Sequence, residues 1–392
     1  MNRREFLAYS SMTAAVSAAP YGILMPRDAH AADAGWNRTL ILLELNGGND
    51  GLNTVVPYTD PRYYSLRPEL AVPKDKVIRL TEKLGFHPRL EPLVGSWRDR
   101  DLAIVLGVGY PDPNLSHFRG IDIWDSASDS KEVLDDGWVS RLVRESRPPK
   151  SYAADGLVMG RNSVGPLMGG AARVVRLPKE PGKLLKQAKR LRTGGMAPPD
   201  NPALAHLLKQ RRDLRGAADK FVAKRIADTN PGGNFPETEL GRQFETAARL
   251  IVSGAKVPFI KLSLGQFDTH IEQKELHADL LGEVAGAIAA FAAAMKRTGN
   301  WDKVAVMTYA EFGRRPDENN SAGTDHGTSA PHFVVGGKVR GGFYGEQPPL
   351  DDLDNKNLKH RVHFRSMYAS GAREWWGQPA SFIREKGLGI FA

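Results

Sequence analysis

The sequence predicts a single large α/β domain, from three observations. Short, nearly continuous apolar runs recur along the chain, amphipathic helical patterns separate several of them, and most of the polar, chemistry-bearing clusters follow directly after the runs. Runs of that kind suit strands buried on both faces of a parallel sheet, and alternation with helices gives the α/β class. In such sheets, sites form beyond the carboxyl ends of the strands.

The runs are Thr39 to Leu45, Leu102 to Val108, Leu157 to Met159, Ala172 to Leu177, Pro258 to Leu264, Lys303 to Thr308 and His332 to Val335. The clearest helical patterns are Pro202 to Asp228, Thr238 to Ser253, Ile271 to Arg297 and Phe364 to Trp376. Residues 177–233 are basic and punctuated by Gly194-Gly195, Pro198-Pro199 and Pro231-Gly232-Gly233, which reads as a helical insertion in the same domain.

The first 31 residues read as an export signal. Arg3-Arg4 precede Phe6-Leu7, a weakly apolar stretch broken by Ser10, Ser11, Thr13, Ser17, Pro20 and Gly22 follows, and Ala29-His30-Ala31 supplies small residues for cleavage. Paired arginines with a diluted apolar middle point to the twin-arginine route, with its translocase as a transient partner and the periplasm as destination. No later segment reads as long and apolar enough to cross a membrane, a span needing roughly 20 strongly apolar residues.

Cysteine is absent, which excludes disulfides, thiolate zinc sites and cysteine nucleophiles together. The net charge of +9 is concentrated in Lys183 to Arg192 and Lys209 to Arg225. Those runs read as solvated helix faces, and without interleaved aromatics or a motif they give no reason to expect nucleic-acid binding.

Four polar clusters carry the candidate chemistry. Asn46-Gly47-Gly48-Asn49-Asp50 follows the first run, its glycines permitting tight turns that present Asn46 and Asp50 at a strand end. It reads equally as a plain turn. Asn114-Leu115-Ser116-His117-Phe118-Arg119-Gly120 stands where a helix should begin. Ser116 is there either an N-cap or a hydroxyl nucleophile beside a metal. Phe267-Asp268-Thr269-His270 places a carboxylate and an imidazole two residues apart past a buried strand, both suitable metal ligands. Glu311-Phe312-Gly313-Arg314-Arg315, with Thr324-Asp325-His326-Gly327 further on, adds more ligand types and arginines able to clamp an anion.

The segments Glu44 to Tyr58, Leu115 to Trp124, Phe267 to His270, Ala310 to Arg315 and Thr324 to Gly337 together resemble the alkaline phosphatase and sulfatase superfamily. They look most like a twin-arginine-exported family of uncharacterised proteins related to sulfatases. The resemblance implies a mixed, mostly parallel sheet sandwiched between helices, and one or two divalent ions, zinc or manganese, at the strand ends. It implies hydrolysis of a phosphate, phosphonate or sulfate ester, so that the partner is an anionic small molecule. By the same resemblance Ser116 is the nucleophile, with Arg119 and Arg314 on the substrate. Asp268, His270, His326 and Asp325 would hold one ion, and Glu311 with Asp50 or Asn46 the other. The sequence departs from the pattern at Asn46 and Phe312, where the family has Asp and His, and the residues after Ser116 lack the pattern for formylglycine conversion. A non-catalytic metal- or ligand-binding envelope protein on the same fold is the alternative; a structural or assembly partner of another exported protein is a third.

Overall fold

The first strand, β1 (Thr39–Leu45), is buried along its whole length. It lies between two parallel partners, β5 (Phe259–Leu264) and β6 (Val304–Tyr309). Alternation of side chains sends Leu40 and Leu42 to one face of the sheet, against Trp36, Trp138, Tyr368 and Trp376. Ile41, Leu43 and Leu45 face the other side, against Phe244, Leu281, Ile288 and Phe291. A strand covered on both faces has no use for a polar alternate, which is why its sequence is an apolar run apart from Thr39 at its start and Glu44.

This computed structural model describes residues 35–160, 163–177, 208–209, 212–213, 215–216 and 228–392. The expected export signal, most of the helix expected over Pro202 to Asp228 and most of the insertion expected over 177–233 lie outside the described residues.

Among the described residues the remaining strands of the main sheet are β2 (Leu102–Gly109), β3 (Gly156–Val158), β4 (Val174–Arg176), β9 (Ala330–Gly336), β10 (Gly342–Tyr344) and β11 (Val362–His363). A separate two-stranded hairpin pairs β7 (Gly313–Arg314) with β8 (His326–Gly327). The order is β10-β2-β9-β6-β1-β5-β3-β4, with β11 also on β2. Every neighbouring pair is parallel except those made by β9, which runs antiparallel to β2 and β6. The chain is therefore a single α/β domain with a mixed, mostly parallel sheet.

The lone reversed strand has a consequence for the site. Because β9 runs the other way, the residues that precede it stand at the same edge as the residues that follow β1, β2, β5 and β6. His326 and Asp268 thus meet although one precedes a strand and the other follows one.

Helices cover both faces: α1 (His117–Ser126), α2 (Trp138–Glu145) and α5 (Phe364–Ala369) on the Trp-rich side, α3 (Glu239–Val252) and α4 (Gln273–Arg297) on the other. Thr238 caps α3 by accepting from the Gly241 amide at 3.1 Å, as Thr at an N-cap should. Beyond α5 the helix loosens to a π form over Ser370–Trp375, within the continuous helix expected from Phe364 to Trp376.

Contrary to the expectation that no segment after the export signal could span a membrane, one helix passes that test. Helix α4, 25 residues with a mean hydropathy of 1.5 in its most apolar window, is long and apolar enough to cross a membrane. Packing explains that composition: 67% of that window is buried inside the domain, with Val284, Ile288 and Phe291 in the core.

Candidate metal centre

The loop after β5 delivers the first ligands. Phe267 is fully buried and its amide donates to the Asn46 carbonyl at 3.1 Å, which anchors the loop against the end of β1. Asp268 and His270 then emerge half-exposed. Gly47 makes the close approach feasible: its φ is +119°, and a Cβ there would lie 2.2 Å from the Asp268 amide nitrogen. Its own amide donates to Glu311 Oε1 at 2.9 Å.

Two further elements converge on the same point. Ser116 occupies the N-cap of α1, and His117 is the first helical residue. Gly120 lets the helix lie close to the β6 loop, since a Cβ would come 3.2 Å from Glu311 Cβ. In the β7–β8 hairpin, His326 pairs in register with Arg314.

These elements bring four ligand side chains together. His270 Nε2 lies 2.9 Å from His326 Nε2 and 3.0 Å from Asp268 Oδ1. His326 Nε2 is 3.2 Å from Asp268 Oδ1, and His117 Nε2 is 3.3 Å from Asp268 Oδ2. The donor atoms of His117, Asp268 and His326 all lie within 4.8 Å of one another.

The far nitrogen of each imidazole is also placed. His326 Nδ1 is 2.8 Å from the Leu115 carbonyl oxygen. That oxygen can only accept, so Nδ1 carries the proton and the Nε2 lone pair of neutral His326 faces the cluster. His117 Nδ1 meets Glu311 Oε1 at 2.8 Å, and His270 Nδ1 stands 3.5 Å from Asp325 Oδ1. A carboxylate or carbonyl on the outer nitrogen is how metal-binding histidines have their tautomer and ring plane set.

Charge keeps the carboxylate ionised. Burial alone would raise the Asp268 carboxyl, but the Arg314 guanidinium, bonded to Oδ1 at 2.6 Å, and the neighbouring His117 outweigh it and hold it at about 2. His117 is pushed up, chiefly by its hydrogen bond to Glu311. His326 is pulled down, chiefly by burial.

Several residues expected at the site do other work. Asp50 is wholly buried and bound to Arg67 Nη1 at 2.6 Å, to the Leu52 amide and to Gln273 Nε2. Burial would raise its carboxyl, yet Arg67 holds it below the usual range, and the described contacts leave it no part in the cluster. Asn46 donates to Glu44 Oε1 at 3.1 Å, and Glu44 is itself paired with buried Lys261. Ser116 is exposed and its hydroxyl makes no capping bond. Its neighbour His117, for which the sequence suggested no role, supplies the ligand instead.

Both arginines expected on substrate are committed elsewhere. Arg119 pairs with Asp122 and ties down the carbonyls of Asp129, Ser130 and Glu132. Arg314 is buried and bonds the carbonyls of Gly47, Gly48, Phe267 and Thr324 as well as Asp268, so it positions the ligand loop. Asp325 lies outside the cluster, accepting from Asn319. Glu311 orients His117 through Oε1; its Oε2 is buried with no hydrogen bond among the described residues. Phe312 walls the cluster, its ring 4.3 Å from that of His326 and 4.9 Å from that of His117.

A family model described as "Protein of unknown function (DUF1501)" matches residues 195–375, a span that takes in Asp268, His270, Glu311 and His326 but not His117. No protein of curated function matches the chain. Among solved structures, a phosphonate monoester hydrolase from Silicibacter pomeroyi is similar at 10% identity and a TM-score of 0.43, covering 90% of this chain and 76% of that one. A sulfatase from a Pseudoalteromonas species is similar at 8% identity and 0.38, covering 94% and 78%. A protein of the alkaline phosphatase superfamily from Vibrio parahaemolyticus gives 10% and 0.38, covering 85% and 65%.

Proposed function

We propose that this protein is an exported metal-dependent hydrolase of an anionic ester, a phosphate, phosphonate or sulfate, built on one divalent-ion centre formed by His117, Asp268, His270 and His326. The observation that carries the reading is the outward anchoring of His117 on Glu311 and of His326 on the Leu115 carbonyl, which leaves their Nε2 atoms and an ionised Asp268 within 4.8 Å of one another, with His270 Nε2 2.9 Å from His326 Nε2 and 3.0 Å from Asp268 Oδ1. That donor set fits the ion. Imidazole nitrogen with one carboxylate suits zinc, whereas manganese prefers a site richer in oxygen.

Bound there, the ion would supply Lewis-acid polarisation of an ester oxygen. The protein's part is to keep Asp268 ionised through Arg314, to hold the ring planes, and to close one side with Phe312. The other side is open, since the Asp268 and His270 side chains keep 44% and 39% of their exposure. Ser116, one residue from a ligand and exposed, is the hydroxyl to test as nucleophile.

A second reading, metal binding without turnover, is favoured by the engagement of Asp50 with Arg67 and by Phe312, which together remove two ligands expected for a second ion. The deciding experiment measures zinc content of protein purified from the periplasm, then assays aryl phosphates, phosphonates and sulfates with wild type and Ser116→Ala. Hydrolysis that requires the metal supports the enzyme. One equivalent of zinc with no turnover across the panel supports the binding protein, and protein that takes up no metal sinks both. Export is tested separately: Arg3→Lys with Arg4→Lys should retain the protein in the cytoplasm on fractionation.

A further inference from the structure

The four ligands come from three pieces of chain, and two of these, the Asp268–His270 loop and the hairpin carrying His326, meet over one buried side chain. Gln273, the first residue of α4, is wholly inaccessible to solvent. Its Oε1 accepts from Thr269 Oγ1 at 2.9 Å and from Thr324 Oγ1 at 2.5 Å, while its Nε2 donates to Asp50. Thr269 stands between the ligands Asp268 and His270, and Thr324 stands two residues before His326. Both threonines are buried.

Main-chain bonds reinforce the junction. The Thr324 amide donates to the Thr269 carbonyl at 3.2 Å, and the Gln273 amide to that of Ala322 at 2.8 Å. Asp50 is fixed by Arg67, whose other nitrogens donate to the carbonyls of Pro316 at 2.7 Å and Arg315 at 2.9 Å, in the same hairpin connection.

From this geometry we infer that Gln273 is the positioning residue that sets the separation between the two ligand loops, with the Asp50–Arg67 pair as its anchor. An amide is the side chain that suits the place. It offers two lone pairs to two hydroxyls and a donor to a carboxylate. Glutamate would lose the donor and set two carboxylates together, and methionine would fill the volume without making a bond. The inference rests on the metal reading above, because what Gln273 positions is the ligand set.

The test uses the full chain and cobalt(II), whose visible absorption reports its coordination. Gln273→Met is expected to bind cobalt at least tenfold more weakly than wild type, within the roughly 10–100-fold range for losing a group that orients ligands, and to change the visible spectrum. Thr269→Val and Thr324→Val each remove one hydroxyl and should weaken binding severalfold. Combined with Gln273→Met, neither should cost more, since both act through the same amide. Should Gln273→Met fail to fold, the two threonine variants decide. Cobalt affinity and spectrum equal to wild type in the variants, or losses that simply add, overturn the role of Gln273 while leaving the metal centre standing. Wild-type protein that binds no cobalt overturns the centre itself.

Discussion

At Asp268, burial and charge pull in opposite directions, and charge wins because Arg314 is buried beside it and cannot turn away. The same carboxylate meets three imidazoles, so a single change there should be felt by the whole cluster. His326→Ala and Asp268→Asn are each expected to abolish stoichiometric zinc binding, read by mass spectrometry of native protein. Glu311→Gln keeps the shape but weakens the hold on His117 and should cost roughly tenfold in metal affinity, read by competition with a chelator. Asp50 belongs to stability. Asp50→Ala strands the Arg67 charge in a fully buried place and should destabilise the metal-free protein by about 3–5 kcal/mol, read by urea unfolding. An unfolding midpoint unchanged from wild type would return Asp50 to the list of ligand candidates.

The elements that carry these residues are tightly placed loops on rigid strands. At the end of β1, the backbone of Gly47 passes where any side chain would strike the main chain of Phe267 and Asp268. Gly47→Ala forces a positive φ on alanine and pushes against backbone that has no rotamer to yield. A loss of about 3 kcal/mol is expected from strain and overpacking together, accompanied by weaker metal binding because Asp268 must move. Gly48, whose missing Cβ faces the Phe312 ring 2.5 Å away, belongs to the same junction. The runs that form β1, β2, β5 and β6 were legible because continuous apolar stretches bounded by turn residues admit few other uses. Where the loops beyond them point was not legible, since it depends on contacts such as Phe267 with Asn46, more than 200 residues apart.

For the molecule as a whole, buried histidines set the response to acid. His332, in the middle of the reversed strand β9, lies at about 3 because burial disfavours its charged form. His277 and His87 are pulled down to about 4, again first by burial. In the unfolded chain each takes up a proton near 6.5. Above 6.5 both states are neutral and nothing is lost. Below it the unfolded state binds more protons, so stability falls as pH drops, down to the folded values of about 3 to 4. His332 alone contributes about 1.4 kcal/mol of loss per pH unit across that window. His332→Met should flatten the slope of unfolding free energy against pH between 6.5 and 4 by about that amount. An unchanged slope would mean that the imidazole takes up its proton without unfolding.

Composition and periodicity alone determined the class of the fold, the positions of the principal strands and the neighbourhoods in which polar clusters gather, because burial on both faces of a sheet writes itself into local sequence. Only the tertiary structure decided which member of each cluster faces the others. His117 turns in while Ser116 stays out, Asp50 bonds Arg67, and Arg314 serves the main chain. Those choices follow from partners distant in the chain, and a polar side chain at a strand end takes whichever buried charge or carbonyl the folded molecule sets beside it.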